Sequence, residues 1–165
     1  MTLLTDFSSR AQTILLSSGW NQERRIGIEE VIVALSSAGI PLNDAAANFL
    51  RSFHGLRLDT PLGTLSFAVF NVFEELQYLE KEEREKLEQL LGKTLTPVGH
   101  GGGYLLFITP NHEFVFLHDQ WFVVLVAKQI VDGIELICSR DFIDYQTFEV
   151  TETDSREVYQ FGDGL

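Results

Sequence analysis

The sequence contains a single cysteine, Cys138, and no long uninterrupted run of apolar residues. One cysteine excludes a framework of internal disulfides, so the fold has to be held together by its core. A bilayer span needs about 20 consecutive apolar residues, and no stretch of the 165 residues approaches that length. The N-terminus also lacks a basic segment followed by an apolar run. We therefore expect no signal peptide and a cytoplasmic protein.

Basic residues are scarce as well. Lysine and arginine together number 12 against 24 aspartates and glutamates, which gives a formal net charge of −12. This balance disfavours nucleic acid, whose phosphates would be repelled over a Debye length of about 8 Å, and it disfavours anionic membrane surfaces. It favours a basic partner, because charge complementarity raises association rates. Acidity that merely keeps the protein soluble is an equally good interpretation.

The stretch 95–127 predicts a central antiparallel meander. Its segments are rich in β-branched and aromatic residues, as strands are, and we place them at Leu95–Gly99, Tyr104–Ile108, Glu113–His118 and Gln120–Ala127. These segments are apolar at odd and even positions alike, so both faces of the sheet should be covered. Thr109 to His112 predicts a tight turn between the second and third strands.

Helices and one further strand pair are predicted around this meander. Capping residues and apolar spacing place a first helix after Thr5 or Asp6, with Phe7, Ala11, Ile14 and Leu15 on one face. A second helix, 28–38, buries Val31, Ile32 and Leu35, and a third begins after its N-cap Asn43. Further elements are the strand pair 56–58 and 64–67, a long helix 72–91 and a last helix 130–138. The predicted fold class is α+β, with a mostly antiparallel sheet packed against helices.

The C-terminal segment differs from the rest of the chain in composition. From Asp141 onward it is rich in tyrosine, phenylalanine, threonine and acidic residues. We expect residues 1–140 to form one domain. Residues 141–165 are an acidic C-terminal extension, which is either an added edge strand or a loose tail.

No assembled catalytic motif is present. Gly99-His100-Gly101-Gly102-Gly103 resembles the oxyanion loop of esterases, but the chain lacks the Gly-x-Ser-x-Gly nucleophile elbow that such enzymes need. Cys138 lies on the apolar face of a predicted helix, which favours a buried structural thiol. His100, His112 and His118, together with Asp119, have the donor types of a zinc site. That arrangement leaves a histidine-based metal-binding protein as a minor alternative.

A resemblance to a known family is carried by motifs spread over about residues 7–138. In chain order they are Gly19-Trp20, Arg24, a helix through Leu35, Gly39-Ile40, Phe49-Leu50, Phe53-His54-Gly55-Leu56, Leu95-Thr96-Pro97-Val98-Gly99 and Trp121. The order and spacing of these motifs resemble the SUKH superfamily, and most closely the third of its bacterial immunity-protein families. The chain departs from the family at His54, where a glycine is usual, at Thr96, where an aromatic is common, and at Asp132-Gly133, where the helix is usually uninterrupted.

The resemblance implies a function as well as a SUKH-like fold. It implies a cytoplasmic immunity protein, or antitoxin, which binds and neutralises a cognate toxin domain, often a nuclease or deaminase. It implies no enzyme activity and no cofactor, and it fits the expectation that neither nucleic acid nor membrane is bound. Other superfamily members regulate cell-wall synthesis, so a regulatory or scaffold module without a toxin is the main alternative.

The acidic balance and the resemblance together suggest which surfaces contact a basic partner. The acidic half of the long helix is one such surface, the corner formed by Trp20 and Arg24 is another, and two acidic loops complete the set. The candidate partner-binding residues are Trp20, Arg24, Asp59, Glu80, Glu82, Glu83, Glu85 and Asp119.

Overall fold

A single antiparallel sheet, in which strands follow one another in chain order, organises the computed structural model. The structure describes residues 4–67, 81–118, 123–139, 145–149 and 158–159. The strands are β1 (Arg57–Thr60), β2 (Gly63–Ser66), β3 (Thr96–Gly101), β4 (Tyr104–Ile108), β5 (Phe114–His118), β6 (Val123–Ala127), β7 (Tyr145–Glu149) and β8 (Val158–Tyr159). The helices are a 3₁₀ turn (Leu4–Asp6), α1 (Ser9–Ser17), α2 (Glu29–Ser37), α3 (Asp44–Phe53), α4 (Lys81–Leu91) and α5 (Ile130–Ser139). The α+β prediction is confirmed.

The predicted central meander corresponds to β3 to β6. β4 and β5 pair along their whole length, from Tyr104 opposite His118 to Ile108 opposite Phe114. The Gly102-Gly103 turn joins β3 to β4 with φ values of 61° and 81°, a left-handed backbone that glycine adopts without steric cost. The glycine-rich motif therefore forms the end of β3 and the turn into β4.

Both faces of the sheet are buried, as the apolar runs predicted. Successive side chains of a strand point to opposite faces, so Leu106 and Phe116 belong to one core while Leu105 and Val115 belong to the other. The large core lies between the sheet and α1, α2, α3 and α5. The small core lies on the opposite face, where Leu87 of α4 is buried and Leu90 and Leu91 pack against it.

An aromatic network forms the centre of the large core. Phe49 and Phe53 of α3 stack with ring centroids 4.4 Å apart. The ring of Phe114, from β5, meets Phe49 edge-on at 5.6 Å. Aromatic pairs in these geometries contribute about 0.5–1.5 kcal/mol beyond the area they bury. α3 is thus fixed to the sheet through its aromatic face.

The start of α3 is attached to the sheet by its cap. Asn43 caps the helix as predicted, since its side-chain oxygen accepts a hydrogen bond from the Ala46 amide at 2.8 Å. Its side-chain nitrogen donates to Thr96 Oγ1 at 2.9 Å and to the Ile108 carbonyl at 3.0 Å. One residue therefore links the helix to β3 and β4, and the orientation of α3 on the sheet is determined at this end.

Gly133 lies in the middle of α5, where a glycine costs about 1 kcal/mol relative to alanine. A Cβ placed on this residue would lie 2.4 Å from the side chain of Phe114. The glycine therefore allows α5 to pack directly on β5. This close approach explains the glycine at position 133, and α5 is continuous from Ile130 to Ser139.

Two local predictions about the helices were wrong. α1 is capped by Ser8, whose hydroxyl accepts from the Ala11 amide, rather than by Thr5 or Asp6. The buried carboxylate of Glu135 accepts hydrogen bonds from the amide and hydroxyl of Ser8, and this contact from α5 selects the start of the helix. Ile32 was expected in the buried stripe of α2 but is 43% exposed, because only Val31 and Leu35 of that helix face the core.

Two further predictions concern the long helix and the C-terminal segment, which the structure describes only in part. Residues 72–80 of the predicted long helix lie outside the described residues, and α4 is the described portion. Tyr145–Glu149 pairs antiparallel with β6, so this part of the C-terminal segment extends the sheet. The division of the chain into residues 1–140 and 141–165 stays a prediction.

Candidate partner-binding surface

The connector between α1 and α2 is tied to the C-terminal end of α3. The Arg24 guanidinium donates to the Ser52 carbonyl at 3.0 Å and to the His54 carbonyl at 2.9 Å. The Ile26 amide donates to the Arg51 carbonyl at 3.0 Å. The last carbonyls of a helix have no partner within the helix, so the connector supplies the missing donors. Burial lowers the pKa of Arg24 from its ordinary value.

Trp20, at the start of this connector, is part of the large core. It is 3% exposed, stacks on Phe53 at 5.6 Å and meets Phe7 edge-on at 5.8 Å. Its indole N–H finds no hydrogen-bond acceptor among the described residues. Trp20 and Arg24, which the sequence suggested as contact residues, both make internal contacts that hold the connector. Little of Trp20 is left for a partner to touch.

His54 lies at the C-cap of α3, at the position where the resemblance expected glycine. Its ring Nδ1 is 3.1 Å from the Phe67 carbonyl oxygen. Burial lowers the pKa of His54, the hydrogen bond to Phe67 and the charge of Glu30 oppose that change, and the charge of Arg24 adds to it. The neutral ring with a proton on Nδ1 fits this site, since that tautomer donates to the carbonyl. His54 therefore has a structural role in joining α3 to the strand pair β1–β2.

A cleft of about 340 Å³ opens beside the exposed side of α3. We call it the arginine cleft, because Arg25 and Arg51 line it together with Asn48, Ser52, His112 and Ile130. Its described lining contains no carboxylate. Neither Arg25 nor Arg51 was among the partner-binding candidates predicted from the sequence. The adjacent pair Arg24-Arg25 was the only signal in the sequence, and only the fold shows that Arg24 donates to the Ser52 and His54 carbonyls while Arg25 lines the cleft.

A second concavity, also about 340 Å³, lies at the C-terminal end of α4. We call it the α4 cleft, and its described lining is Glu85, Glu88, Gln89, Gly92, Lys93 and Thr94. Glu85 is exposed, whereas Glu88 accepts a hydrogen bond from the Leu95 amide at 2.9 Å. Lys93 forms an ion pair with Glu113. The described lining of the α4 cleft thus carries two glutamates and one lysine, and the lysine is paired with Glu113.

The structure describes only some of the other acidic candidates. Glu82 and Glu83 lie on α4 with Glu85, while Glu80 and Asp119 lie outside the described residues. Asp59 is exposed on β1 and accepts a hydrogen bond from the hydroxyl of Thr64, its cross-strand neighbour, at 2.9 Å. Whether any of these side chains contacts a partner stays a prediction.

The histidines do not form the metal site considered as an alternative. His112 lies in the turn between β4 and β5, with φ of 65°, and not on a strand with His118. His118 is at the opposite end of β5, roughly 13 Å from Phe114 at about 3.3 Å per residue, where it meets the Tyr104 ring at 5.0 Å. Across the described ranges, no group of three or more histidine, cysteine, aspartate or glutamate side chains could hold a metal ion.

Cys138 has the environment of a structural thiol. It is fully buried in the large core, and burial raises its pKa to about 12. A thiol attacks as its thiolate, and this one stays protonated near neutral pH. The geometry therefore gives Cys138 no nucleophilic role.

The described residues thus form an α+β fold with clefts of about 340 Å³ beside α3 and α4. Comparison with known families identifies the class of the protein. The family model of the SUKH-3 immunity proteins matches residues 7–140. The chain belongs to this family, which confirms the resemblance inferred from the sequence. No curated protein and no solved structure matched the chain.

Family membership gives the function in outline. The protein is an immunity protein of a toxin–immunity system, and its implied partner is a cognate toxin protein. Proteins of this family are generally not enzymes. In the part of the chain that the structure describes, no helix is long and apolar enough to cross a membrane.

Proposed function

We propose that this protein neutralises its toxin by binding over the toxin's basic active surface, without catalysing any reaction. Membership of the SUKH-3 immunity protein family is the observation that carries this proposal. In this proposal the toxin is a nuclease or deaminase. Enzymes that act on nucleic acid bind their substrate through basic clefts. An acidic protein with a net charge of −12 competes for such a cleft.

Electrostatic attraction raises the rate at which the two proteins associate in this mechanism. A strongly charged protein attracts an oppositely charged partner from a distance, and such steering raises association rates by about 10–10³-fold at low salt. The acidic half of the long helix, with Glu80, Glu82, Glu83 and Glu85, is the proposed contact, joined by Asp59 and Asp119. Glu85 is exposed beside the α4 cleft, which supports this placement.

The direct experiment uses a candidate toxin domain encoded next to the gene for this protein. We expect the two proteins to co-purify, and we expect the immunity protein to restore growth of cells that express the toxin. Co-purification without rescue would contradict neutralisation. Failure of both with every neighbouring toxin candidate would contradict the proposed function and favour a regulatory module.

Charge reversal tests the contact surface. We expect Glu82→Lys with Glu83→Lys to slow association with the toxin by about tenfold at low salt, with a smaller change in dissociation, because steering acts before contact. The measurement is association kinetics by surface plasmon resonance at several salt concentrations.

Glu29 and Glu30 provide a matched control, since they are an adjacent exposed pair on another helix, α2. Glu29→Lys with Glu30→Lys changes the net charge by the same amount, and circular dichroism verifies that each variant is folded. We expect it to slow association less than the α4 pair does. Equal effects of the two pairs, or an affinity that does not vary with salt, would contradict an electrostatic interface on α4.

A further inference from the structure

The arginine cleft is a local exception to the charge of this chain. Arg25 and Arg51 line it, although acidic residues outnumber basic ones two to one in the whole sequence. No carboxylate of the described residues forms an ion pair with either guanidinium. Within the described ranges, the two guanidiniums beside this cavity therefore have no carboxylate partner, and an acidic group of another molecule can bind there.

Arg25 is held in place by hydrogen bonds that leave donors free. Its Nη1 donates to the Arg24 carbonyl at 2.6 Å and to Ser52 Oγ at 3.2 Å. Its Nε and Nη2 have no acceptor among the described residues. A guanidinium presents five N–H donors in a planar fork, so one side of the fork is fixed to the protein and the other side can bind a ligand.

Arg51 and His112 extend the same polar surface. Arg51 makes one long contact, 3.3 Å from its Nη1 to Asn48 Oδ1, and is otherwise unpaired among the described residues. His112 is exposed on the turn that borders the cleft, and the hydrogen bond from its amide to the Thr109 carbonyl at 3.1 Å holds it there. Both side chains are exposed, so neither requires a partner for the stability of the free protein.

The chemistry of the cleft favours a carboxylate. Arginine forks bind carboxylate and phosphate with two parallel hydrogen bonds. A volume of about 340 Å³ is at the small end of ligand sites, which range over about 300–1,000 Å³. The net charge of −12 repels multiply charged phosphates. A single carboxylate on a partner that is otherwise basic meets no such barrier.

We propose that the arginine cleft receives an aspartate or glutamate side chain of the toxin, clamped between Arg25 and Arg51. This inference depends on the proposed function, because it takes the partner to be a protein. The cleft then complements the acidic surface with a contact of the opposite charge. Such a contact fixes the orientation of the toxin and rejects basic proteins that lack the acidic side chain.

The test compares two double variants in the toxin complex. We expect Arg25→Gln with Arg51→Gln to raise the Kd at least about tenfold, mainly through faster dissociation, because charged hydrogen bonds are lost. Arg10→Gln with Arg57→Gln is the matched control, since it removes two exposed arginines that do not line the cleft. We expect the control to bind as tightly as the wild type or tighter, because it makes the protein more acidic.

Equal affinities for the two double variants would overturn the inference while leaving the proposed function intact. The absence of any toxin complex with the wild type would overturn the proposed function instead. Urea denaturation verifies that each variant is folded, and Arg51→Glu provides a second variant, for which we expect a larger loss of affinity because it adds repulsion.

A second measurement identifies the ligand without the toxin. A blocked peptide with one glutamate is titrated at up to about 20 mM, a range that detects a millimolar Kd. We expect saturable NMR shifts of the amides of residues 45–53, with none for the glutamine version of the peptide. No shift with the glutamate peptide, or tighter binding of inorganic phosphate at the same amides, would overturn the carboxylate assignment.

Discussion

The α3 side and the α4 side of the sheet are built alike but differ in size and charge. Each helix is followed by a glycine with positive φ, Gly55 at 81° and Gly92 at 65°. Each also borders a cleft of about 340 Å³, which runs along α3 but lies at the C-terminal end of α4. α3 packs on the large core and its cleft is lined by arginines. α4 packs on the small core and its cleft is lined by glutamates.

The difference teaches that net charge does not determine the sign of a local surface. On the α3 side, the Arg24 guanidinium donates to carbonyls at the end of the helix, whereas Arg25 and Arg51 are exposed and line the arginine cleft. On the α4 side, Glu88 and Lys93 have internal partners and Glu85 stays exposed. The two clefts therefore differ in the sign of the charges that line them.

The largest expected effect is on stability and separates the two cores. Phe53→Ala should lower the free energy of unfolding by about 3–5 kcal/mol, because it opens a cavity in the aromatic network. Leu87→Ala, in the small core, should cost about 2–3 kcal/mol. Urea denaturation followed by circular dichroism measures both values.

Leu16, which is 51% exposed on α1, provides the control for these two variants. Leu16→Ala should change the free energy of unfolding by less than about 0.5 kcal/mol. A loss for Leu87→Ala as large as that for Phe53→Ala would show that the two faces contribute equally, and the distinction between the cores would be wrong.

The second effect, also on stability, distinguishes Arg24, which donates to helix carbonyls, from Arg51, which lines the arginine cleft. Arg24→Gln should cost about 1.5–3 kcal/mol, because it removes charged hydrogen bonds to the Ser52 and His54 carbonyls. Arg51→Gln should change the free energy of unfolding by less than about 0.5 kcal/mol. Thermal and urea denaturation measure the pair. Similar losses for both variants would contradict the assignment of Arg24 to the fold and Arg51 to the ligand.

The smallest effect is a pH dependence specific to the end of α3. Burial lowers the pKa of His54 in the folded state, while the unfolded pKa is about 6.5. Below that pH the unfolded chain binds a proton that the folded protein does not. The contribution of His54 to stability is therefore complete above about pH 6.5 and is lost as the pH falls toward the folded pKa.

Urea denaturation at several pH values from about 7.5 down to 5.5 measures this effect. His54→Gln should show a shallower loss of stability over that range than the wild type, because glutamine does not titrate. Identical pH dependence in both proteins would show that His54 titrates alike in the folded and unfolded states.

The sequence predicted the elements in which local chemistry and burial agree. The meander from β3 to β6 could be predicted because its apolar residues occupy both faces, and Asn43 could be predicted as a cap because its local pattern matches the helix that follows. The start of α1 could not be predicted, because Glu135, distant in sequence, selects Ser8 as the cap. The prediction that Ile32 is buried was wrong for a similar reason, because the packing of α2 leaves this residue outside the core.

The residues that contact the partner stay a prediction. Acidic composition indicated a basic partner, and the motifs indicated the family. The arginine cleft could not be predicted, since it depends on the connector meeting α3 and on the turn at His112 lying beside them. Residues that are far apart in sequence line one cleft there only because of the fold.

The sequence by itself determined the α+β class, the central sheet with two buried faces and the family, because periodicity, turn residues and motif order are properties of neighbouring positions. Only the tertiary structure decided which charges are used internally and which are free. Hydrogen-bond partners and burial depend on contacts between distant segments, and the contrast between Arg24 and its neighbour Arg25 depends entirely on such contacts.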